Sequence, residues 1–142
     1  MIVLRNNRLK TLPDTLFQNL RSLGNIDLSH NLIEFIPVNA FRSTALKNLN
    51  LSYNRFTYLN NNFCLELRNS GVRLNKFYFN DNPWQCACLN EILKEVKTLN
   101  IRYNNAKYIG NNPVCKTDEI LKKTERQKQQ FFLEFAKKFE PT

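Results

Sequence analysis

Four cysteines are the residues best able to do chemistry in this chain: Cys64, Cys86, Cys88 and Cys115. Cys86 and Cys88 form a C-x-C pair, and the other two lie far from it. Zinc sites usually draw their cysteines from C-x2–4-C pairs, so this spacing gives no expectation of a metal. The single histidine, His30, has no sequence partner for nucleophilic or acid–base work and reads as a surface residue. There is no G-x-S-x-G or H-E-x-x-H motif, and three glycines leave little material for a phosphate loop. Neither catalysis nor a cofactor is expected.

Charge narrows the partners. Lys and Arg number 21 against 12 Asp and Glu, for a net charge of +9. The excess is spread, with +7 before Cys115 and +2 after it. Arg8, Arg21, Arg42, Arg55, Arg68, Arg73 and Lys76 are scattered, with no recognition helix or aromatic RNA-binding motif among them. No nucleic-acid partner is expected. The charge suits solubility or attraction to acidic surfaces such as glycans. No stretch approaches the ~20 apolar residues of a membrane span. Residues 1–7 carry neither a basic lead nor a long apolar run, so no secretory signal is read in this chain.

The elements that position these residues follow from a repeat. Leu23, Ile26, Leu28, Asn31 and Ile33 trace L-x-x-L-x-L-x-x-N-x-L. Leu46, Leu49, Leu51, Asn54 and Phe56 repeat it, as do Leu74, Phe77, Phe79, Asn82 and Trp84. Ile2, Leu4, Asn7 and Leu9 end an earlier copy. The asparagines recur at intervals of 24, 23 and 28 residues, within the ~20–29 residues of the leucine-rich repeat, which the pattern resembles. Each copy predicts one short strand and a return stretch, with an asparagine amide satisfying backbone groups at the sharp turn. Leu12-Pro13 and Ile36-Pro37 open the return stretches, and Phe17 and Phe41 follow. At the same offset after Leu59 stands Cys64, which reads as a buried free thiol in a phenylalanine slot. The fold class expected is an α/β solenoid: a horseshoe segment with a short parallel sheet on its concave face and a helical C-terminal cap.

Leu89, Ile92, Leu93, Val96 and Leu99 have helical spacing after the last repeat. The run Asn82-Pro83-Trp84-Gln85-Cys86-Ala87-Cys88 resembles the cysteine-rich C-terminal flanking cap of extracellular leucine-rich-repeat proteins. Such caps occur in Toll-type receptor ectodomains and in secreted leucine-rich immune proteins of insects. The resemblance covers roughly residues 2–115 and implies about four repeats over 1–84 and a cap over 82–115; the residues beyond read, from their own pattern, as a basic amphipathic helical tail over 116–142. The resemblance also implies a disulfide between Cys86 and Cys115, an extracellular location, and a chain that is the C-terminal piece of a longer parent. The family's fourth cap cysteine has no counterpart after Cys115. Cys88 is therefore free, bridged to another chain, or paired with Cys64.

Outward positions of the strands form three columns: Val3, Asp27, Asn50 and Tyr78; Arg5, Ser29, Ser52 and Asn80; and Asn6, His30, Tyr53 and Asp81. They are either a plain solvated sheet or a surface for a protein or glycan ligand, carried by Asp27, His30, Asn50, Tyr53, Tyr78 and Asp81. Asn50-Leu51-Ser52 is a glycosylation acceptor motif. The tail sets Leu121, Lys128, Phe132, Phe135 and Phe139 roughly on one side of a helix. It would pack on the cap, join a partner chain, or lie on a membrane surface, and membrane contact is the least expected of these. The function expected is recognition without chemistry. The alternative is an assembly segment joined to a partner chain through Cys88 and the tail.

Overall fold

The computed structural model describes residues 1–13, 15–104 and 115–116; the tail and the readings placed on it lie outside them. Four strands, β1 (Ile2–Val3), β2 (Asn25–Asp27), β3 (Asn48–Asn50) and β4 (Lys76–Tyr78), form a parallel sheet in chain order. Ile26 pairs with Leu49 and Leu49 with Phe77, so the repeats stack in the register of the sequence pattern. The fold is the leucine-rich-repeat solenoid. The inward residues Ile26, Leu28, Leu49, Leu51, Phe77 and Phe79 are buried, and they form one core cluster with Ile33, Phe56 and Trp84 from the return stretches. No single copy could bury these side chains alone, because each strand is only two or three residues long.

The asparagines hold the corners. Asn54 Nδ2 donates to the carbonyls of Leu28, Leu51 and Ser52 at 3.0–3.2 Å, while its Oδ1 accepts from Ile33 N–H. Asn31 repeats this with Leu4, Leu28 and Ser29, and with Leu9 N–H. Asn82 donates to Leu51, Phe79 and Asn80, and accepts from Asn54 and Phe56 N–H. Each amide therefore spans two neighbouring repeats. Asn7, by contrast, is exposed and makes a single bond, to Leu4 O. Ahead of each asparagine the chain enters the left-handed region, with φ of 63° at Asn6, 57° at His30, 57° at Tyr53 and 59° at Asp81. The N–H groups of Asn6, His30 and Tyr53 each donate to a carbonyl in the next repeat.

The third return stretch is the longest and folds as helix α1 (Phe63–Asn69). Its phenylalanine slot differs from the sequence reading. Phe63, not Cys64, takes the slot: it meets Phe41 of the preceding return stretch edge-on at 6.4 Å and stacks on the strand residue Phe77 at 5.8 Å. A helical turn presents successive residues about 100° apart, so the fixed five-residue offset of the other copies fails here. Cys64 is buried beside Phe63 as a free thiol. Gly71 then ends α1 at φ 94°, a conformation that suits glycine, and Val72 N–H returns to Leu67 O.

After β4, strand β5 (Trp84–Gln85) leads into helix α2 (Cys86–Thr98). Trp84 is fully buried, stacks on Phe56 at 5.8 Å and donates its indole N–H to Phe79 O at 2.7 Å. Leu89, Ile92 and Val96 lie on the buried face of α2, which therefore closes that end of the core. The chain then crosses the outer edge of β4: Phe77 N–H donates to Arg102 O and Arg102 N–H to Asn75 O. Strand β6 (Cys115–Lys116) pairs with β5. Among the described residues, no helix is long and apolar enough to cross a membrane.

Removing a corner amide strands several buried backbone groups, at about 1–3 kcal/mol each. Asn54→Ala is expected to lower stability by about 3 kcal/mol or more. Asn7→Ala, which removes one exposed bond, should cost under about 1 kcal/mol. Urea unfolding followed by circular dichroism measures both, and equal losses would refute the ladder's role.

Candidate functional site

The outer face of the sheet presents Val3, Asp27, Asn50 and Tyr78 in one row across the strands. Tyr78 and Val3 are exposed, and Asp27 and Asn50 are half-buried. Arg5 Nε approaches Asp27 Oδ2 at 3.8 Å with its own side chain exposed, so this pair contributes little to stability. Asn48 Nδ2 donates to Asn25 Oδ1, which ties the bases of two strands together. A shallow depression of about 150 Å³ runs between Asp27, Asn48, Asn50, Lys76 and Tyr78.

The second column departs from expectation. Ser29, Ser52 and Asn80 are buried, not solvated. The reason is a local turn. Ser29 donates both its N–H and its hydroxyl to Asp27 Oδ1, at 3.0 and 2.6 Å. Ser52 does the same to Asn50 Oδ1. The sequence reading missed these acceptor roles of Asp27 and Asn50, although the recurrence of a polar residue two before Ser in both repeats is a visible signal.

The third column lies at the left-handed corners. The rings of His30 and Tyr53 stack at 4.3 Å and 9°, both on exposed residues. Asn80 Nδ2 donates to Asp81 Oδ2, which holds that exposed carboxylate beside the row. The structure thus places His30 against Tyr53, and Asp27, Asn50 and Tyr78 in a row at the adjacent strand positions. The resulting face is aromatic and mixed in charge.

The cysteines sit elsewhere. Cys86 and Cys115 are joined by a disulfide with a Cα–Cα distance of 4.9 Å. Cys64 and Cys88 are free thiols. Among the described residues, no group of three or more His, Cys, Asp or Glu side chains is placed to hold a metal ion. Burial pushes the Cys64 thiol far up, with the Glu95 charge adding to it. Cys88 is half-buried, and its Sγ accepts from Leu59 N–H at 3.3 Å. Burial raises its pKa, offset in part by that bond and reinforced by Glu95 and Glu91. Burial also raises the Glu95 carboxyl; N–H groups of Leu65, at 3.0 Å, and of Cys64 pull it back, and Glu91 pushes it up. Leu59, Cys88, Glu91 and Glu95 line a cleft of about 540 Å³ between α2 and the third return stretch.

Comparison with known proteins agrees with this geometry. Residues 1–56 match the family model described as leucine rich repeat. Residues 1–56 are thus leucine-rich repeat. The chain is 31% identical over 123 residues to leucine-rich repeat-containing protein 3B of Mus musculus, covering 84% of this chain and 42% of that protein. It is 34% identical over 98 residues to leucine-rich repeat-containing protein 3 of Danio rerio, covering 66% of this chain and 34% of that protein. Trophoblast glycoprotein of Macaca fascicularis is 32% identical over 89 residues, covering 62% of this chain and 21% of that protein. The chain spans about a third to two fifths of the length of the first curated relatives it matches.

Two measurements check the cleft. In the native protein Cys88 should react with a thiol reagent well before Cys64, which should wait for unfolding. Reaction of both at one rate would contradict the burial described. Glu95 gives a pH test. Its folded pKa lies above the ordinary glutamate value, so its contribution to stability is complete below the ordinary range and is lost as pH rises through the folded value. Glu95→Gln removes that loss. Its urea midpoint relative to the wild type should therefore be higher at pH 7 than at pH 4, and an unchanged difference would count against the shift.

Proposed function

We propose that this segment is a non-enzymatic recognition module that binds a protein or glycan ligand on the outer face of its sheet. The observation that carries this reading is the stacked His30–Tyr53 pair beside the Asp27–Asn50–Tyr78 row. Aromatic side chains that are rigid before binding lose little entropy on contact, which makes them good anchors. Ring stacking and the fixed backbone at the corner hold both rings ahead of any encounter. Asp27, Asn50 and Asp81 supply acceptors around them.

In our reading residues 1–84 form the repeats, 82–115 a cysteine-rich C-terminal cap, and 116–142 a tail. A disulfide is at home outside the cytosol, which supports an extracellular location. One relative is itself named a glycoprotein. The finer reading, an innate-immune or receptor-type ectodomain, rests on the resemblance of the Asn82–Cys88 run. A glycan on Asn50 would occupy the middle of the row, so glycosylation there and ligand contact at Tyr78 compete for the same surface. The assembly alternative needs Cys88 to bridge two chains. Its half-burial and raised pKa make it a poor thiolate for that exchange, which favours recognition.

The test uses the immobilised chain against purified extracellular domains and heparin-type glycans. Tyr53→Ala with Tyr78→Ala should weaken any specific binder by at least about tenfold, because exposed aromatic anchors carry ~1–2 kcal/mol or more each. Circular dichroism should be unchanged, since both residues are exposed. Binders unaffected by the pair would place recognition elsewhere. A dimer on non-reducing gels that Cys88→Ser abolishes would favour assembly instead.

A further inference from the structure

Lys76 opens β4, and a parallel bridge sets Arg102 beside it in register. Ile101 is buried and Arg102 exposed, so Arg102 extends the outer face of the sheet. The row at the start of the strands therefore runs Asn25, Asn48, Lys76, Arg102. Its last two members are cations one strand spacing apart, about 4.8 Å. Like charges set side by side on a sheet are destabilising. Among the described residues no carboxylate pairs with either, and the ion pair of this face joins Arg5 to Asp27. Asp27 stands two strands from Lys76, ~10 Å away, and its oxygens already meet Ser29 and Arg5. The cation pair is thus left for an anion from outside.

The surroundings narrow the kind of anion. Lys76 also lines the shallow depression of about 150 Å³, with Asn48, Asn50 and the exposed Tyr78. The bond from Asn48 to Asn25 leaves Asn25 Nδ2 and Asn48 Oδ1 for a ligand. Asn50 Oδ1 is taken by Ser52, which leaves its Nδ2 as a further donor. At this corner the outer edge of β4 is engaged, because Phe77 N–H and Asn75 O are bonded to Arg102. Main-chain pairing with an added peptide strand is therefore blocked there. Recognition falls to cations, side-chain amides and an aromatic ring. These suit an acidic sugar chain: the cations take its anionic group, the amides its hydroxyls, and the ring the C–H face of a sugar. The net charge of +9 favours the approach of such a polyanion. We propose that this corner binds a sulfated glycan, with a sulfate held between Lys76 and Arg102 and a sugar ring against Tyr78. The proposal rests on the recognition reading above and narrows its ligand to one class.

Calorimetric titration of the full chain with a heparin octasaccharide tests this. Lys76→Gln with Arg102→Gln should weaken binding by at least about tenfold, the scale of two lost charge-assisted contacts. Arg21→Gln with Arg42→Gln removes the same charge from the return stretches and should change affinity less than about twofold. Circular dichroism checks that both variants keep the fold. The de-sulfated octasaccharide and a glutamate dodecapeptide should each bind at least about tenfold more weakly than heparin. Equal losses in the two double variants would reduce the effect to overall charge. A peptide that binds as well as heparin would make the site a reader of acidic protein segments. Either result overturns the proposal, as does wild-type protein that binds no heparin. Such failures leave the recognition reading standing on its own test, since protein domains captured through Tyr53 and Tyr78 do not depend on Lys76 and Arg102.

Discussion

The corner asparagine is the constraint on which this molecule depends. A chain that leaves a two- or three-residue strand and turns at once strands three carbonyls and an N–H. Each of Asn31, Asn54 and Asn82 satisfies such a set with one short side chain. No other side chain does this. Aspartate has no donor, serine has one, and glutamine is longer by a methylene. Because each amide also reaches a carbonyl of the preceding repeat, it fixes the register between copies. The leucine columns inside and the side-chain rows outside both inherit that register.

Packing answers the second demand, a core that changes width along its length. Where the early repeats place Ile26 and Leu28, the last places Phe77 and Phe79, whose ring centroids are 4.9 Å apart. The return columns widen likewise, from Ile33 through Phe56 to Trp84. Trp84 brings a polar N–H into a fully buried site, and Phe79 O accepts it. The bulk at this end meets the apolar stripe of α2, so the stack ends in a packed layer and not in a bare leucine face.

Much of this was legible from spacing alone. The asparagine interval, the leucine alternation and the helical stripe after Trp84 are periodic, and periodicity survives without coordinates. What was not legible has local physical causes. Ser29 and Ser52 alternate as outward residues should, yet they fold onto Asp27 and Asn50 through bonds that alternation does not encode. Phe63 took the slot assigned to Cys64 because a helix replaced an extended return. The left-handed corners were hidden because the chain uses Asn, His, Tyr and Asp there, not glycine. A tyrosine at φ 57° is costly by about 1 kcal/mol, and the ladder of bonds across the corner holds it there.

The crossing of residues 101–102 over β4 gives the sheet a direction. One flank has its hydrogen-bonding groups engaged by Arg102, while among the described residues the strand at the other flank, β1, pairs with β2 alone. The array is a graded ruler, whose zero mark is the tryptophan layer and whose bulk falls off strand by strand toward β1.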